Sequence, residues 1–525
     1  MTTSSVPVRR KRVPLAGDLY HPRQAALQHT LRTVTPLRTP DFAPFEPELS
    51  RIPPADLAAL DGRLCDATIP ELQRLMEAGT LTAAELTLYY VARLRRYDVG
   101  RLQSVVELNP EALAIAAAMD AERRAGKTRG PLHGIPVLIK DNIGTGDRMH
   151  TTAGAAVLLD ARADRDAFIV TRLREAGAVL LGKTNLSEWA NFMSDRSSNG
   201  YSTVGGQTRN PYGRFDIGGS SSGSGASIAA RFAAAAIGTE TYGSIISPSG
   251  QCSLVGHKPT HGLVSRDKII PITDATDTAG PMARNVIDAS ILLHAIAGQD
   301  ANDPATAGVS ARTDIFAAPD FGAEALRGAR VGWLQHDPRR SGDTRVRQAT
   351  LAALRRAGAT VVEVPFAPPQ VDYMSIFRFG IRAGVAAYLA ATGGPVESLD
   401  DVIAFNRRDL RRRARRGQQL LIDSAREPLS AQGYTELVRT GREVSLAAVR
   451  STLAEHRLDF LMSFRTSFAF NMSGAPLLSL PAGYLDSGEP IGLLMSADLG
   501  RDGELLAAGR AFELASRARR DPVLR

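Results

Sequence analysis

Cysteine is nearly absent from this 525-residue chain: Cys65 and Cys252 are the only two. Two cysteines exclude a disulfide framework and a Cys-rich metal site. Lysine is almost as scarce. Six of the 63 basic residues are lysine (Lys11, Lys127, Lys140, Lys183, Lys258 and Lys268), so each stands out against a background of arginine. No apolar run reaches 18 residues, which argues against a membrane span. The best candidate, from Ala226 to Gly238, is short, carries Arg231 and reads as a buried helix. Arg9-Arg10-Lys11-Arg12 has no apolar region behind it, so a secretory signal is not expected. No His-Glu-x-x-His or comparable spacing calls for a metal, no cofactor motif is complete, and no nucleic-acid motif occurs. What remains, 44% hydrophobic and 22% charged with a net charge of +8, is the composition of a soluble globular protein with a sizeable core. A cytoplasmic location fits best.

Residues 1–60 are rich in Pro, Arg and Thr without a period, and read as an N-terminal extension that wraps the surface or stays mobile. The main domain covers 61–525, with regular structure from near Ile69. Thr82-Ala83-Ala84-Glu85 is a capping box opening a helix to Leu94, and Asn109-Pro110-Glu111 opens another to Arg124. Val137–Ile139 and Ala178–Leu181 read as strands around a helix from Ala167 to Ala176, and Ser224–Ala236 reads as a helix. Val331–Leu334, the helix Thr344–Arg356 and Thr360–Val364 repeat the rhythm. Phe460–Phe464, Leu477–Leu480 and Ile491–Met495 add strands before a last helix, Glu504–Ala518. Such alternation predicts an α/β fold, a mixed central sheet between helical layers. Residues 300–460 are more helical and poorer in motifs, and are expected to form an inserted lobe. Within it, the cluster Arg407–Arg416 contains no aromatic residue and reads as a solvated face rather than a nucleic-acid site.

The chemistry concentrates in Gly218-Gly219-Ser220-Ser221-Ser222-Gly223-Ser224-Gly225 and Gly238-Thr239-Glu240-Thr241-Tyr242-Gly243-Ser244. Ser220 and Ser244 stand 24 residues apart in glycine-rich turns, where the backbone can approach a substrate closely. Eighty residues before Ser220, the apolar run Ile135–Ile139 ends in Lys140-Asp141-Asn142. A lysine at the end of a buried strand loses proton affinity by desolvation and becomes a usable base. Two serines and a lysine can activate a hydroxyl without histidine. Competing motifs are weaker. Gly219-Ser220-Ser221-Ser222-Gly223 matches a nucleophile elbow centred on Ser221, but His257, His261, His294, His336 and His456 lack a recognisable context. The glycine turn lacks the Gly-Lys-Ser/Thr of a phosphate loop, and Ser265-Arg266-Asp267-Lys268 is too short a match to carry weight.

From about Ile69 to the C-terminus the chain resembles the amidase signature family. Gly218–Ser249 follows that signature, and Gly134-Ile135-Pro136-Val137, Gly182-Lys183-Thr184-Asn185, Gly256-His257-Lys258-Pro259-Thr260, Asp277-Thr278-Ala279-Gly280-Pro281, Asn471 and Gly474-Ala475-Pro476 agree in order. The resemblance implies an amide hydrolase with Ser244 as nucleophile, Ser220 as a bridging serine with a cis peptide, and Lys140 as base. It implies an oxyanion hole from the backbone of Thr241, Tyr242, Gly243 and Ser244. Tyr242 stands where relatives often have Gly, and Ile246 where they often have Arg, so both are expected to shape the substrate pocket. Glu240-Thr241-x-Gly243-Ser244-Ile245, with Ala404-Phe405-Asn406-Arg407 and Gly417-Gln418, is most similar to the bacterial peptide amidase branch. The expected partner is a small-molecule or peptide amide, with no cofactor, metal, nucleic acid or membrane; a homodimer stays open. The alternative is the glutaminase subunit of a tRNA-dependent amidotransferase, against which the missing arginine at Ile246 weighs. A catalytically dead scaffold is disfavoured because Lys140, Ser220 and Ser244 are all present. Lys183 and Lys258 are expected in structural ion pairs, and Cys252 as a small buried residue.

Overall fold

The computed structural model describes residues 34–308, 324–334 and 342–524, together with Gln28 and Leu31. Two capping boxes set the first long helices. Thr68 and Glu71 cap Ile69–Glu77, and Thr82 and Glu85 cap Ala83–Tyr97, with each hydroxyl and carboxylate satisfying the other's backbone N–H. Regular structure starts earlier than the sequence suggests: a helix spans Pro54–Leu64, and Phe45, Leu49 and Leu64 are buried in the main core. The described part of the extension therefore packs onto the domain. Lys11 and its basic neighbours lie outside the described residues.

Thirteen strands are present among the described residues: β1 (Val105–Leu108), β2 (Pro136–Lys140), β3 (Val179–Thr184), β4 (Tyr201–Ser202), β5 (Gly206–Gln207), β6 (Ala235–Glu240), β7 (Val255–Lys258), β8 (Thr278–Ala283), β9 (Arg330–Leu334), β10 (Thr360–Val364), β11 (Phe460–Ser463), β12 (Leu477–Tyr484) and β13 (Pro490–Ser496). β4 and β5 form a small hairpin. The other eleven make one mixed sheet in the order β1-β3-β2-β6-β8-β7-β12-β13-β11-β9-β10. β3, β2 and β6 run parallel, β8, β7, β12 and β13 alternate antiparallel, and β11, β9 and β10 are again parallel. Helices cover both faces, as expected for the predicted α/β sandwich.

β6 corrects the sequence reading. The expected helix Ser224–Ala236 ends at Ala229, after starting at Ser222. Arg231 then turns with φ of 60°, and Ala235–Glu240 runs as a strand buried at every position. A strand covered on both faces shows no alternation, and alanine favours helix locally, so the pattern conceals it. β7 and β8 are concealed likewise: β8 is rich in Gly, Ala and Pro, and β7 is a four-residue strand, Val255-Gly256-His257-Lys258, buried throughout.

The inserted lobe is narrower than 300–460. β9, β10 and the helix Asp343–Arg356 belong to the main sheet and its cover. The lobe proper comprises Tyr373–Thr392, Leu399–Arg407, Leu410–Arg413, Gln419–Ala425 and Ala431–Glu455. Tyr373–Thr392 is long and apolar enough to cross a membrane, with a mean hydropathy of 1.2. Here Ile376, Phe377, Ile381, Val385 and Leu389 instead form the core of the lobe.

Candidate active site

β2 and β6 are parallel neighbours, in a register that places Ile139 beside Ile237. Their C-terminal ends therefore meet, and Lys140 at the end of β2 reaches Thr239 near the end of β6. The crevice beyond the carboxyl ends of parallel strands is where α/β sheets commonly place their chemistry. Lys140 is wholly buried. Its Nζ lies 2.8 Å from Ser220 Oγ, 2.8 Å from Thr239 Oγ1 and 3.2 Å from Thr239 O. Asn142 Nδ2 donates to the same threonine hydroxyl at 3.1 Å. Desolvation lowers the Lys140 pKa to about 7, against opposing attraction from Asp277 and then Glu240. In the neutral amine, two protons satisfy Thr239 and the lone pair faces Ser220. Lys140 can then accept a proton from that hydroxyl.

The serine turn is held from several sides. The Gly219–Ser220 peptide is cis, and Ser220 O accepts a bond from Ser187 N at 3.0 Å. Gly219 is required by space: a Cβ there would lie 2.7 Å from both Asn199 Oδ1 and Ser187 Oγ. Downstream, the helix Ser222–Ala229 is pinned to the sheet by Ser224, whose hydroxyl donates to Ile237 O at 3.2 Å and pairs with Thr184 at 2.8 Å.

Ser244 is 7% exposed and lies in the turn between β6 and the helix Ile246–Gln251. Ser221 N donates to Ser244 O at 3.1 Å, which ties the two serine turns together. Gly243 takes φ of +77°, a conformation that L side chains resist. Glu240 braces the far side of the turn. Its Oε2 accepts from Ile245 N (2.7 Å) and Ile246 N (3.0 Å), and its Oε1 from Asn471 Nδ2 (2.7 Å). Among the described residues, the N–H groups of Thr241, Tyr242, Gly243 and Ser244 have no acceptor. Such a row of unpaired donors suits an anionic oxygen.

The two expected pocket residues part company. Tyr242 is half-buried, and its ring centroid lies 5.3 Å from that of Phe468 and 6.2 Å from that of Tyr373 at the start of the lobe. Burial and the neighbouring Tyr373 push its phenol pKa up. Ile246 is 1% exposed and packs among Leu334, Val449, Leu461, Phe470 and Leu494. Among the described residues its side chain is packed into the core at 1% exposure, which is at odds with its expected pocket role. An apolar residue at that position is simply used as packing.

Ser221 is not a free elbow nucleophile: its hydroxyl donates to Thr239 O at 3.1 Å and accepts from Thr239 N at 3.2 Å. Lys183 and Lys258 are buried but make no carboxylate contact among the described residues. Lys183 donates to Ile143 O and Thr151 Oγ1, and Lys258 to Pro259 O. Burial lowers the pKa of both, that of Lys258 to about 8. Carbonyl oxygens thus replace the expected ion-pair partners. Cys252 is a fully buried residue of the main core. In the arginine cluster, Arg407, Arg408, Arg411, Arg412 and Arg415 are exposed. Arg413 instead stacks on Phe405 at 3.8 Å, and Arg416 Nε donates to Arg196 O at 3.1 Å. The sequence reading missed Thr239, Glu240 and Asp277 as parts of the site. Each lies inside a motif noted in the sequence, but only the strand order β2-β6-β8 reveals that they surround Lys140.

The sequence profile described as Amidase matches residues 85–463. A putative amidase of Arthroderma benhamiae is 35% identical, over 87% of this chain and 86% of its own. The native peptide amidase of Stenotrophomonas maltophilia is 40% identical, with a TM-score of 0.82, over 88% of this chain and 99% of that structure. A glutamyl-tRNA(Gln) amidotransferase component from Rhodopirellula baltica is 32% identical, over 86% of this chain and 97% of its own. With a matching profile over most of its length, and relatives that align almost end to end, the chain belongs to the amidase signature family and is an enzyme of amide hydrolysis.

Proposed function

We propose that the chain hydrolyses carboxylic amides, either primary amides or C-terminally amidated peptides, through an acyl-enzyme on Ser244. The observation that carries this reading is the 2.8 Å contact between a wholly buried Lys140 and Ser220, beside a turn whose four N–H groups have no acceptor among the described residues. Ser244 Oγ attacks the amide carbon and passes its proton to Ser220, whose own proton goes to neutral Lys140. The oxyanion is received by the N–H groups of Thr241 to Ser244. When the C–N bond breaks, Ser220 returns a proton to the nitrogen, which leaves as ammonia or amine. Water then cleaves the ester by the same relay in reverse, releasing the acid and free Ser244. The likeness to a peptide amidase supports an amidated peptide end as substrate, and the aromatic group around Tyr242 supports a large apolar acyl portion.

The second reading, a glutaminase component of an amidotransferase, has the Rhodopirellula relative in its favour. A panel of primary amides, anilides, glutamine and C-terminally amidated peptides, with ammonia or amine release as readout, separates the two. Glutamine as the best substrate would favour the second.

A further inference from the structure

The segment Ile272–Asp277 connects the lobe to the turn carrying Ser244. On the lobe side, Thr273 Oγ1 lies 2.7 Å from Tyr434 Oη, and the same phenol donates to Asp274. The Tyr434 ring stacks on Phe379 with centroids 4.5 Å apart, so two lobe helices share this anchor. On the site side, Asp277 Oδ2 accepts from Ile272 N at 2.8 Å and from Thr273 N at 3.0 Å. Its other oxygen accepts from the Thr241 hydroxyl. Thr241 is therefore gripped by its side chain while its N–H stays without an acceptor among the described residues.

Asp277 also acts on the base. Of the two carboxylates whose charge acts on Lys140, Asp277 acts more strongly than Glu240. Glu240 is committed to the donors of Ile245, Ile246 and Asn471. The charged and titratable groups around Asp277 are Lys140, Tyr434, Asp274 and Arg266, and Arg266 is itself paired with Asp303. A cavity of about 670 Å³ between the lobe helix Tyr373–Thr392 and this segment opens onto Asp277, Thr241 and Thr239.

We propose that Asp277 is a positioning residue for acyl transfer: it fixes the Thr241–Ser244 turn through the Thr241 hydroxyl, and its negative charge favours the ammonium form of Lys140. The proposal rests on the amidase reading above and adds to it a residue that touches no reacting atom. A carboxylate near an amine favours ammonium, so removing the charge makes Lys140 easier to deprotonate. The acid limb of the pH–rate profile then moves to lower pH.

Asp277→Asn is nearly isosteric and removes the charge, but its single carbonyl oxygen can serve either the Thr241 hydroxyl or the Ile272 and Thr273 N–H groups, not both. Its kcat should fall by on the order of 10²-fold as the turn loosens, with KM little changed. Its acid limb should move down by about one pH unit. Asp277→Glu restores the charge and should keep the wild-type limb. An Asn variant with reduced kcat and an unmoved limb would make Asp277 merely structural and overturn the proposal, as would wild-type kcat. Should the Asn variant not fold, Thr241→Val gives a second measurement. It should lower kcat by about tenfold or more, with Thr241→Ser restoring it; wild-type kcat in Thr241→Val overturns the proposal. Ser244→Ala, run in parallel, separates the two levels. Full activity there removes the amidase reading itself, whereas loss there with an unmoved Asp277→Asn limb removes only this inference.

Discussion

Lys140 makes the most exacting prediction, because its burial and its chemistry depend on one number. An ordinary lysine side chain titrates near 10.5, and desolvation brings Lys140 to about 7. That difference corresponds to about 5 kcal/mol against the ammonium form. Only the neutral amine can take a proton from Ser220, so kcat/KM should be level in mildly alkaline solution and begin to fall below about pH 7, more steeply below about 6, where burial has raised Asp277 so that its carboxylate protonates as well. At pH 5 it should be on the order of 10²-fold or more below the plateau. Stability carries the same signature with a definite sign. Between about 7 and 10.5 the unfolded chain binds the proton that the folded chain lacks, so the folded state gains stability as pH rises through that window. Below about 7 both states are protonated and the whole penalty is present. Lys140→Met removes the buried amine and should raise the unfolding temperature more at pH 6 than at pH 9.5, while abolishing turnover. The assays are initial rates on an amidated dipeptide from pH 5 to 9, and thermal unfolding at the two pH values. A rate that stays flat to pH 5, or an active Lys140→Arg enzyme, would refute the role of Lys140, since guanidinium cannot serve as base.

Ser244→Ala should reduce turnover by on the order of 10⁴-fold or more, and an acylating inhibitor should then leave no adduct by mass spectrometry. Ser221→Ala removes a brace on Thr239, not a nucleophile, and should retain most activity with a modest loss of thermal stability measured in the same preparations. Tyr242→Gly should change the ratio of kcat/KM between large aryl or peptide amides and small aliphatic ones by an amount worth about 1–3 kcal/mol. An equal loss on every substrate would count against its place at the pocket. Ile246→Ala should destabilise by about 2–5 kcal/mol in denaturant titrations and leave that substrate ratio unchanged.

Elements with strong local signals were legible in the sequence. The capping box at Thr82 is a side-chain signature of a helix start, and that helix forms where the spacing puts it. The edge and C-terminal strands, from Arg330–Leu334 to Pro490–Ser496, carry β-branched and large apolar residues between turns. Illegible were β6, β7 and β8, of which β6 runs beside the legible strand that carries Lys140. Their Ala, Gly and Pro content reflects close packing demanded by the tertiary structure: a Cβ at Gly280 would lie 2.1 Å from His257 O, and one at Gly256 would lie 2.0 Å from Ser249 Oγ. Propensity has no access to such constraints. The contact between Lys140 and Ser220 follows from strand order, and strand order is a long-range property. The glycine-serine segments therefore marked where the site is, while the partners Thr239, Glu240 and Asp277 emerged only with the sheet.

The same sheet separates two departures that the sequence puts four residues apart. Tyr242 and Ile246 flank Ser244 symmetrically in the chain, yet the turn sends their side chains into different clusters. Tyr242 joins Tyr373, Phe377 and Phe468, three rings at the junction of the lobe with the sheet domain. Ile246 enters the apolar cluster that helix Ala431–Glu455 shares with β9, β11 and β13. Changes at Tyr242 therefore act on this aromatic junction rather than on Glu240, whose bonds to the Ile245 and Ile246 N–H groups hold the turn. Changes at Ile246 act on those very bonds through the packing of its own backbone. The turn thus shares Tyr242 with the lobe, and it shares the residues that keep its donors rigid with the sheet. If this division holds, lobe substitutions at Tyr373 or Phe377 should reproduce the selectivity shift of Tyr242→Gly in the amide panel without moving the acid limb set by Lys140; a limb that moved with them would show the two functions to be coupled.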